Sequence, residues 1–241
     1  MNRCLTRNLK CGIEFFTNGR PDFKQIFNFQ KSNYNCWSCK KFLNELETKS
    51  QFCPCDKNVI LPVCNKINYF ELLNIDFNYD IDLIQLTKNF RQKMRKLHPD
   101  LFTMKSDNEK KYSAEQSSLV NKAYDALKSP IKRGEYLLGL IDSNYLSEVT
   151  ESHESDSEKQ KILMEIMELN EIIDEIKLAK EVKELALRLK EIIKPFEEEL
   201  EKAFNLKDYP KACSVISKMK YFKNIDDRVK DLELKFNIEN V

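Results

Sequence analysis

Apolar positions recur at helical spacing between residues 67 and 140. Leu83, Leu86, Phe90, Met94 and Leu97 lie three or four apart and share one face of a helix led by Asp82. Leu119, Val120, Ala123, Tyr124 and Leu127 repeat the pattern in a later helix, and Tyr69, Phe70, Leu72 and Leu73 suit a short earlier one. Pro99 ends the helix led by Asp82, because the residue before proline avoids helical backbone. Ser129-Pro130 marks a second break, with proline near the start of a short fourth helix. Two long antiparallel helices joined at a proline turn form a hairpin that buries a common apolar seam.

Residues 159–241 return to helical periodicity. Ile162, Ile166, Leu169, Ile173 and Ile176 form a narrow stripe, while Leu163 and Met167 fall roughly 100–140° round the wheel at the 100° step of a helix. Pro195 should kink or delimit a helix in this region. Residues 141–158 are polar, acidic and serine-rich and read as a linker. Residues 34–66, with Pro54 and Pro62, read as a small loop-rich module, and residues 1–33 as a leader or disordered tail. The expected fold is mainly α: a helical hairpin (67–140) and a C-terminal helical bundle (159–241) after the small module.

Composition agrees with this. Charged residues make up 33% of the 241 and only 4 glycines occur, which suits a helix-rich chain. No apolar run approaches the roughly 20 residues a membrane helix needs. The net charge of +1 conceals local segregation, so function should lie in patches. The start of the chain carries Arg3, Arg7 and Lys10 and no acid before Glu14, as in a mitochondrial transit peptide.

Cysteine usage adds a second element of chemistry. Of 8 cysteines, four fall within 36–55 and only Cys213 lies in the C-terminal half. A disulfide framework would spread them, whereas a metal site concentrates them. Cys36-Trp37-Ser38-Cys39 has the spacing that brings two thiolates to one tetrahedral ion, and Cys53-Pro54-Cys55 should supply the other pair. Cys64 is a substitute for the fourth ligand. The competing possibility is a metal-free module held by Trp37, Phe42 and Phe52.

The tripeptide His98-Pro99-Asp100 sits in the turn of the helical hairpin. Three residues alone carry little weight, but their setting is specific. Lys88, Arg91 and Arg95 share one face of the preceding helix, away from its apolar stripe. A cationic face beside a rigid exposed turn is a docking surface for an acidic partner. It implies no nucleophile and no pocket, so the chain is not expected to be an enzyme.

Helix order, motif position and charge together resemble the J-domain over residues 67–140. In that family the tripeptide contacts a DnaK-class chaperone ATPase and accelerates hydrolysis. The resemblance gives that role to His98, Pro99 and Asp100, with Lys88, Arg91 and Arg95 in support, and implies that this chain itself binds no nucleotide.

Further segments resemble one branch of the family, the HscB-type co-chaperones of iron–sulfur cluster assembly. They are Leu97–Phe102, Leu119–Tyr124, Arg133–Leu138, Met164–Glu168 and Lys218–Phe222. The resemblance implies that the C-terminal bundle binds the cluster scaffold protein, which is then handed to the chaperone. It places Leu163, Met167 and Tyr221 as main scaffold contacts, supported by Met164, Phe222, Glu168, Glu171 and Glu175. Eukaryotic members carry an N-terminal cysteine module, which implies structural Zn2+ on Cys36, Cys39, Cys53 and Cys55. In this chain the second pair has one intervening residue where the family has two. The implied location is the mitochondrial matrix.

Two other readings compete. A general J-domain co-chaperone for unfolded clients would share the turn but not the scaffold patch. A nucleic-acid binder would interleave basic and aromatic residues around the cysteines, whereas residues 42–56 hold acids as well as lysines. No nucleic-acid or membrane partner is expected. His153, in the acidic linker, reads as solvated, and so does the run Glu197, Glu198, Glu199 and Glu201.

Overall fold

The computed structural model describes residues 34–55, 57–64, 67–150 and 156–238. The expected leader and His153 lie outside the described residues.

Two short antiparallel strands, β1 (Tyr34–Asn35) and β2 (Phe42–Leu43), come first among the described residues. They are followed by α1 (Glu45–Lys49), whose N-terminus is closed by a capping box between Asn44 and Glu47. The hairpin region follows: α2 (Tyr69–Leu73), α3 (Leu83–Leu97), a short 3-10 turn at Pro99–Phe102, α4 (Asp107–Lys128) and α5 (Pro130–Ile141). The remaining helices are α6 (Asn144–Thr150), α7 (Asp156–Glu175), α8 (Ala179–Leu206) and α9 (Tyr209–Lys235).

Local chemistry sets the ends of these helices. The Asp82 carboxylate accepts from the Ile84 and Gln85 amides at the start of α3, satisfying two of the donors that a helix leaves open. A capping box between Ser106 and Glu109 starts α4. Pro130 occupies the first turn of α5, where a missing N–H costs nothing.

α3 and α4 meet along the expected seam. Leu86, Leu97, Val120, Ala123 and Leu127 are fully buried there, each leucine contributing about 2–3 kcal/mol of apolar burial. Phe90 stacks on Tyr124 with centroids 4.1 Å apart. Leu83 departs from expectation: it is half exposed, in the first turn of α3.

The same core continues into the bundle. Tyr79 stacks on Phe204 of α8 at 4.9 Å, and Arg133 lies 4.8 Å from the Tyr79 ring while donating to the Leu127 carbonyl at 2.7 Å. Gly134 lets α5 approach α9: a Cβ there would stand 2.8 Å from Ile216 Cδ1. A second core joins α7, α8 and α9 through Leu169, Ile173, Leu185, Leu189, Phe222 and Ile225.

Four expectations need correction. Residues 144–150 are not linker but the helix α6, with Val149 buried; its carbonyl accepts from the Ser217 hydroxyl at 2.7 Å. Tyr145, Leu146 and Val149 have helical spacing, and small residues on α9 let α6 come close. Of the two roles expected of Pro195, delimiting a helix is excluded: α8 runs through it, and both Pro195 and Glu191 are exposed, so water can serve the freed carbonyl. Glu197 is not solvated: it is half buried near Arg133, and burial raises its carboxyl above the usual range against that cation's pull. Phe42 is exposed rather than holding the cysteine module.

Candidate functional site

Three sites emerge, each positioned by a different part of the fold. At the end of α3, Pro99 stops the helix and His98 adopts extended backbone with φ −56° and ψ 129°. The carbonyl of Leu97 is left without a helical partner. Ser113 and Ser117, one turn apart on α4, each donate a hydroxyl to it at 2.7 Å. Both serines are buried. The hairpin's second helix thereby fixes the turn, a role sequence reading missed, although serines at i and i+4 on the seam face are visible in the chain.

His98, Pro99 and Asp100 themselves are exposed. The Asp100 amide faces His98 Nδ1 at 3.4 Å, and the Asp100 carboxylate lies 3.4 Å from the same nitrogen. The tripeptide's residues stay exposed, so they are available to a partner. Lys88, Arg91 and Arg95 are all exposed along one shallow groove that begins at Leu83 and Ile84. The basic face thus forms an exposed strip along α3, the helix that ends directly before the exposed turn.

The second site is on α7. Leu163 is 47% exposed, Met164 69% and Met167 63%, although each is a large apolar side chain. Leu163 and Tyr221 line one groove with Asn170, Asn224 and Val149, so α6, α7 and α9 all contribute to it. Glu171 and Glu175 are exposed. Glu168 is engaged by Arg188 of α8 at 2.8 Å, a partner not foreseen from sequence. Phe222 corrects the expectation: it is 0% exposed and packs 5.8 Å from Phe196 in the bundle core. Successive helical residues point 100° apart, and here that offset turns Phe222 into the core while Tyr221 lines the groove.

The third site is the cysteine module. Lys40, in left-handed backbone at φ 61°, turns the chain after Cys39, and its amide donates to the Cys36 carbonyl at 3.0 Å. Asn58, at φ 43°, makes the matching turn after Cys55, to whose carbonyl its amide donates at 2.8 Å. These turns bring the sulfurs of Cys36, Cys39 and Cys53 within 4.8 Å of one another, close enough to share one metal ion. Cys39 and Cys53 are 3.7 Å apart.

Burial pushes the Cys53 thiol up to about 12. A hydrogen bond with Cys53 lowers Cys55 to about 7, but Cys55 is not one of the three sulfurs that converge. Burial acts to raise Cys36 too, but the Cys39 and Ser38 amides outweigh it and hold the thiol below its ordinary value. Cys64 is not one of the converging sulfurs. Three converging soft sulfur donors beside a tight turn make a cluster capable of holding a metal ion.

The module is not free-standing. Trp37 donates from Nε1 to the Ile60 carbonyl at 2.8 Å and lies 5.9 Å from Tyr112 of α4. Gln116 of α4 reaches the Leu61 carbonyl at 3.0 Å, and Lys93 of α3 reaches Gln51 at 3.3 Å.

Comparison with known proteins matches these parts in order. Residues 68–136 match the DnaJ domain, and residues 158–230 match the HSCB C-terminal oligomerisation domain. The human iron-sulfur cluster co-chaperone protein HscB is 33% identical over 200 residues, spanning 83% of this chain and 83% of its own. The chain belongs to the HscB family of iron–sulfur cluster co-chaperones. The crystal structure of human co-chaperone protein HscB superposes with a TM-score of 0.68 at 29% identity, covering 83% of this chain and 99% of that one. Co-chaperone protein HscB of Proteus mirabilis is 29% identical and is 96% covered by only 69% of this chain. In this HscB-family chain the tripeptide turn falls inside the DnaJ match, and the α7 patch and Tyr221 inside the C-terminal match. The cysteine module precedes both. No described helix is long and apolar enough to cross a membrane.

Proposed function

We propose that the protein binds an iron–sulfur cluster scaffold protein on α7, presents it to a DnaK-class chaperone and stimulates that chaperone's ATPase, promoting cluster transfer. The observation that carries this reading is one continuous core joining a J-domain with an exposed His98-Pro99-Asp100 turn to an HscB bundle with an exposed apolar α7 face. The chain supplies positioning, not bond chemistry of its own. Leu163 and Met167 are the main scaffold contacts, with Tyr221 at their edge; Met164, Glu171 and Glu175 surround them. Glu168 takes part through its pair with Arg188. Lys88, Arg91 and Arg95 steer the acidic face of the chaperone towards the turn, an attraction that salt weakens.

In the cysteine module, Cys36, Cys39, Cys53 and Cys55 would hold a structural Zn2+, which crosslinks the two turns when bound. The basic, acid-free start of the chain supports action in the mitochondrial matrix, and a fusion of residues 1–33 to a reporter tests that. The function is tested by pull-down from cell extract with recombinant residues 34–241. A cluster scaffold and a DnaK-class ATPase should elute together. Unfolded clients without the scaffold would instead favour a general co-chaperone.

A further inference from the structure

A cleft of about 700 Å³ lies where the corner between α4 and α5 meets α8 and α9, and nothing in the proposed function uses it. Its floor is aliphatic: Ile131, Ile193 and the thioether of Met219. Its rim carries six lysines against three carboxylates. Two of those carboxylates are already engaged. Asp226 accepts from Lys223 at 3.2 Å and from Lys230, and Glu197 is half buried near Arg133. Lys132 and Lys190 form no ion pair among the described residues, and Lys194 only reaches Glu198 at 4.0 Å. Positive charge is thus left over on the rim.

The cleft does not end there. A second groove along α8 and α9 shares Lys190, Ile193, Asp226 and Lys230 with it, so the two are continuous. Ala186, Leu189 and Val229 extend the aliphatic floor, while Lys183 and Glu233 add one charge of each sign, so the excess of lysines is kept. The result is an elongated channel, apolar below and cationic above.

We propose that this channel is a third docking surface, which takes an acidic segment of a partner protein whose aliphatic side chains sit on the floor. Charge complementarity gives the sign of the occupant. The carboxylates and the floor give its class. A nucleic-acid backbone needs a continuous basic track and aromatic platforms for its bases. Here Asp125, Glu197, Asp226 and Glu233 interrupt the basic rim, and no aromatic residue lines either groove. A peptide alternating carboxylates with leucine-like side chains meets both features.

The channel shares no residue with the tripeptide turn, the basic groove of α3 or the α7 patch. Its walls come from the J-domain corner and from the bundle, so an occupant touches both parts of the chain. Failure of the scaffold reading would leave this surface standing, and the reverse also holds.

The test is a fluorescence anisotropy titration of the full chain with a short labelled peptide of Glu and Asp carrying Leu at every fourth position. Saturable binding is expected, weakening as salt rises. The triple variant Lys132→Glu, Lys190→Glu, Lys194→Glu should lose about tenfold or more in affinity, about 1.4 kcal/mol. These side chains are exposed, so the variant should keep its circular dichroism and melting temperature. Replacing the peptide's leucines with glycine should also weaken binding, whereas Leu163→Ala with Met167→Ala should not. Absence of saturable binding, or binding indifferent to the three charge reversals, would overturn the proposal. So would an oligothymidylate that binds as tightly with the same lysine dependence.

Discussion

The Ser117 hydroxyl donates a 2.7 Å hydrogen bond to the main-chain carbonyl of Leu97, the residue directly before the exposed tripeptide. Ser113 donates to the same oxygen. A helix that stops at a proline leaves its last carbonyls open, and a buried one must find a donor. The second helix of the hairpin supplies two, so the position of the turn is set by α4 and not only by the end of α3.

Removing both donors should therefore act on stability and function together. Ser113→Ala with Ser117→Ala leaves the carbonyl unsatisfied, at a cost of about 1–3 kcal/mol. Urea unfolding should show that loss, and chaperone stimulation should fall while scaffold affinity holds. Ser117→Ala alone leaves one donor and should cost less.

The α7 patch and the bundle core should separate cleanly. Leu163→Ala and Met167→Ala should each weaken scaffold binding by about 1–3 kcal/mol in calorimetric titration, with little change in melting temperature. Phe222→Ala should instead destabilise the fold by about 3–5 kcal/mol, because a fully buried ring leaves a cavity. Arg188→Ala frees Glu168, and a change in scaffold affinity without loss of stability would show that the pair matters for docking.

Metal analysis should find about one zinc per chain in anaerobically purified protein, as expected of a single tetrahedral site. Cys36→Ser and Cys53→Ser should abolish it, Cys55→Ser should reduce it, and Cys64→Ser should leave it intact. Binding displaces the proton that burial holds on Cys53, so affinity should fall as pH falls. A metal content near zero in the unaltered protein would contradict the site.

The contact of α5 with α9 makes a separate test. Gly134→Val overpacks the approach to Ile216 and should cost about 1–3 kcal/mol. Ile216→Ala in the same chain should restore part of that loss, measurable by urea unfolding.

Where one feature dominates locally, the sequence was legible. Asp82 caps α3, Pro99 ends it, and Leu86, Phe90, Met94 and Leu97 face α4, because a cap, a proline and a 3.6-residue period each act on near neighbours. Three of the four cysteines converge, Cys36, Cys39 and Cys53, with Lys40 and Asn58 in left-handed backbone at the neighbouring turns. Distant packing was less legible. α6 reads as linker because its acidic flanks mask a short apolar set that only packing on α5 and α9 makes worth burying. Phe222 was misplaced because α9 is covered on several sides, although Met219, Phe222, Ile225 and Val229 do trace a buried stripe. Glu197 acquires a neighbour from a helix some sixty residues away in the chain, and no local pattern announces it.

The most direct measurement is single-turnover ATP hydrolysis by a DnaK-class chaperone from the same source, with and without this protein and the scaffold. The unaltered chain should accelerate hydrolysis, and the scaffold should raise the acceleration further. The His98 side chain is 53% exposed, so His98→Gln should keep the melting temperature and scaffold affinity. It should nonetheless abolish the acceleration. Full stimulation by the His98→Gln variant, or none by the unaltered protein, would contradict the account.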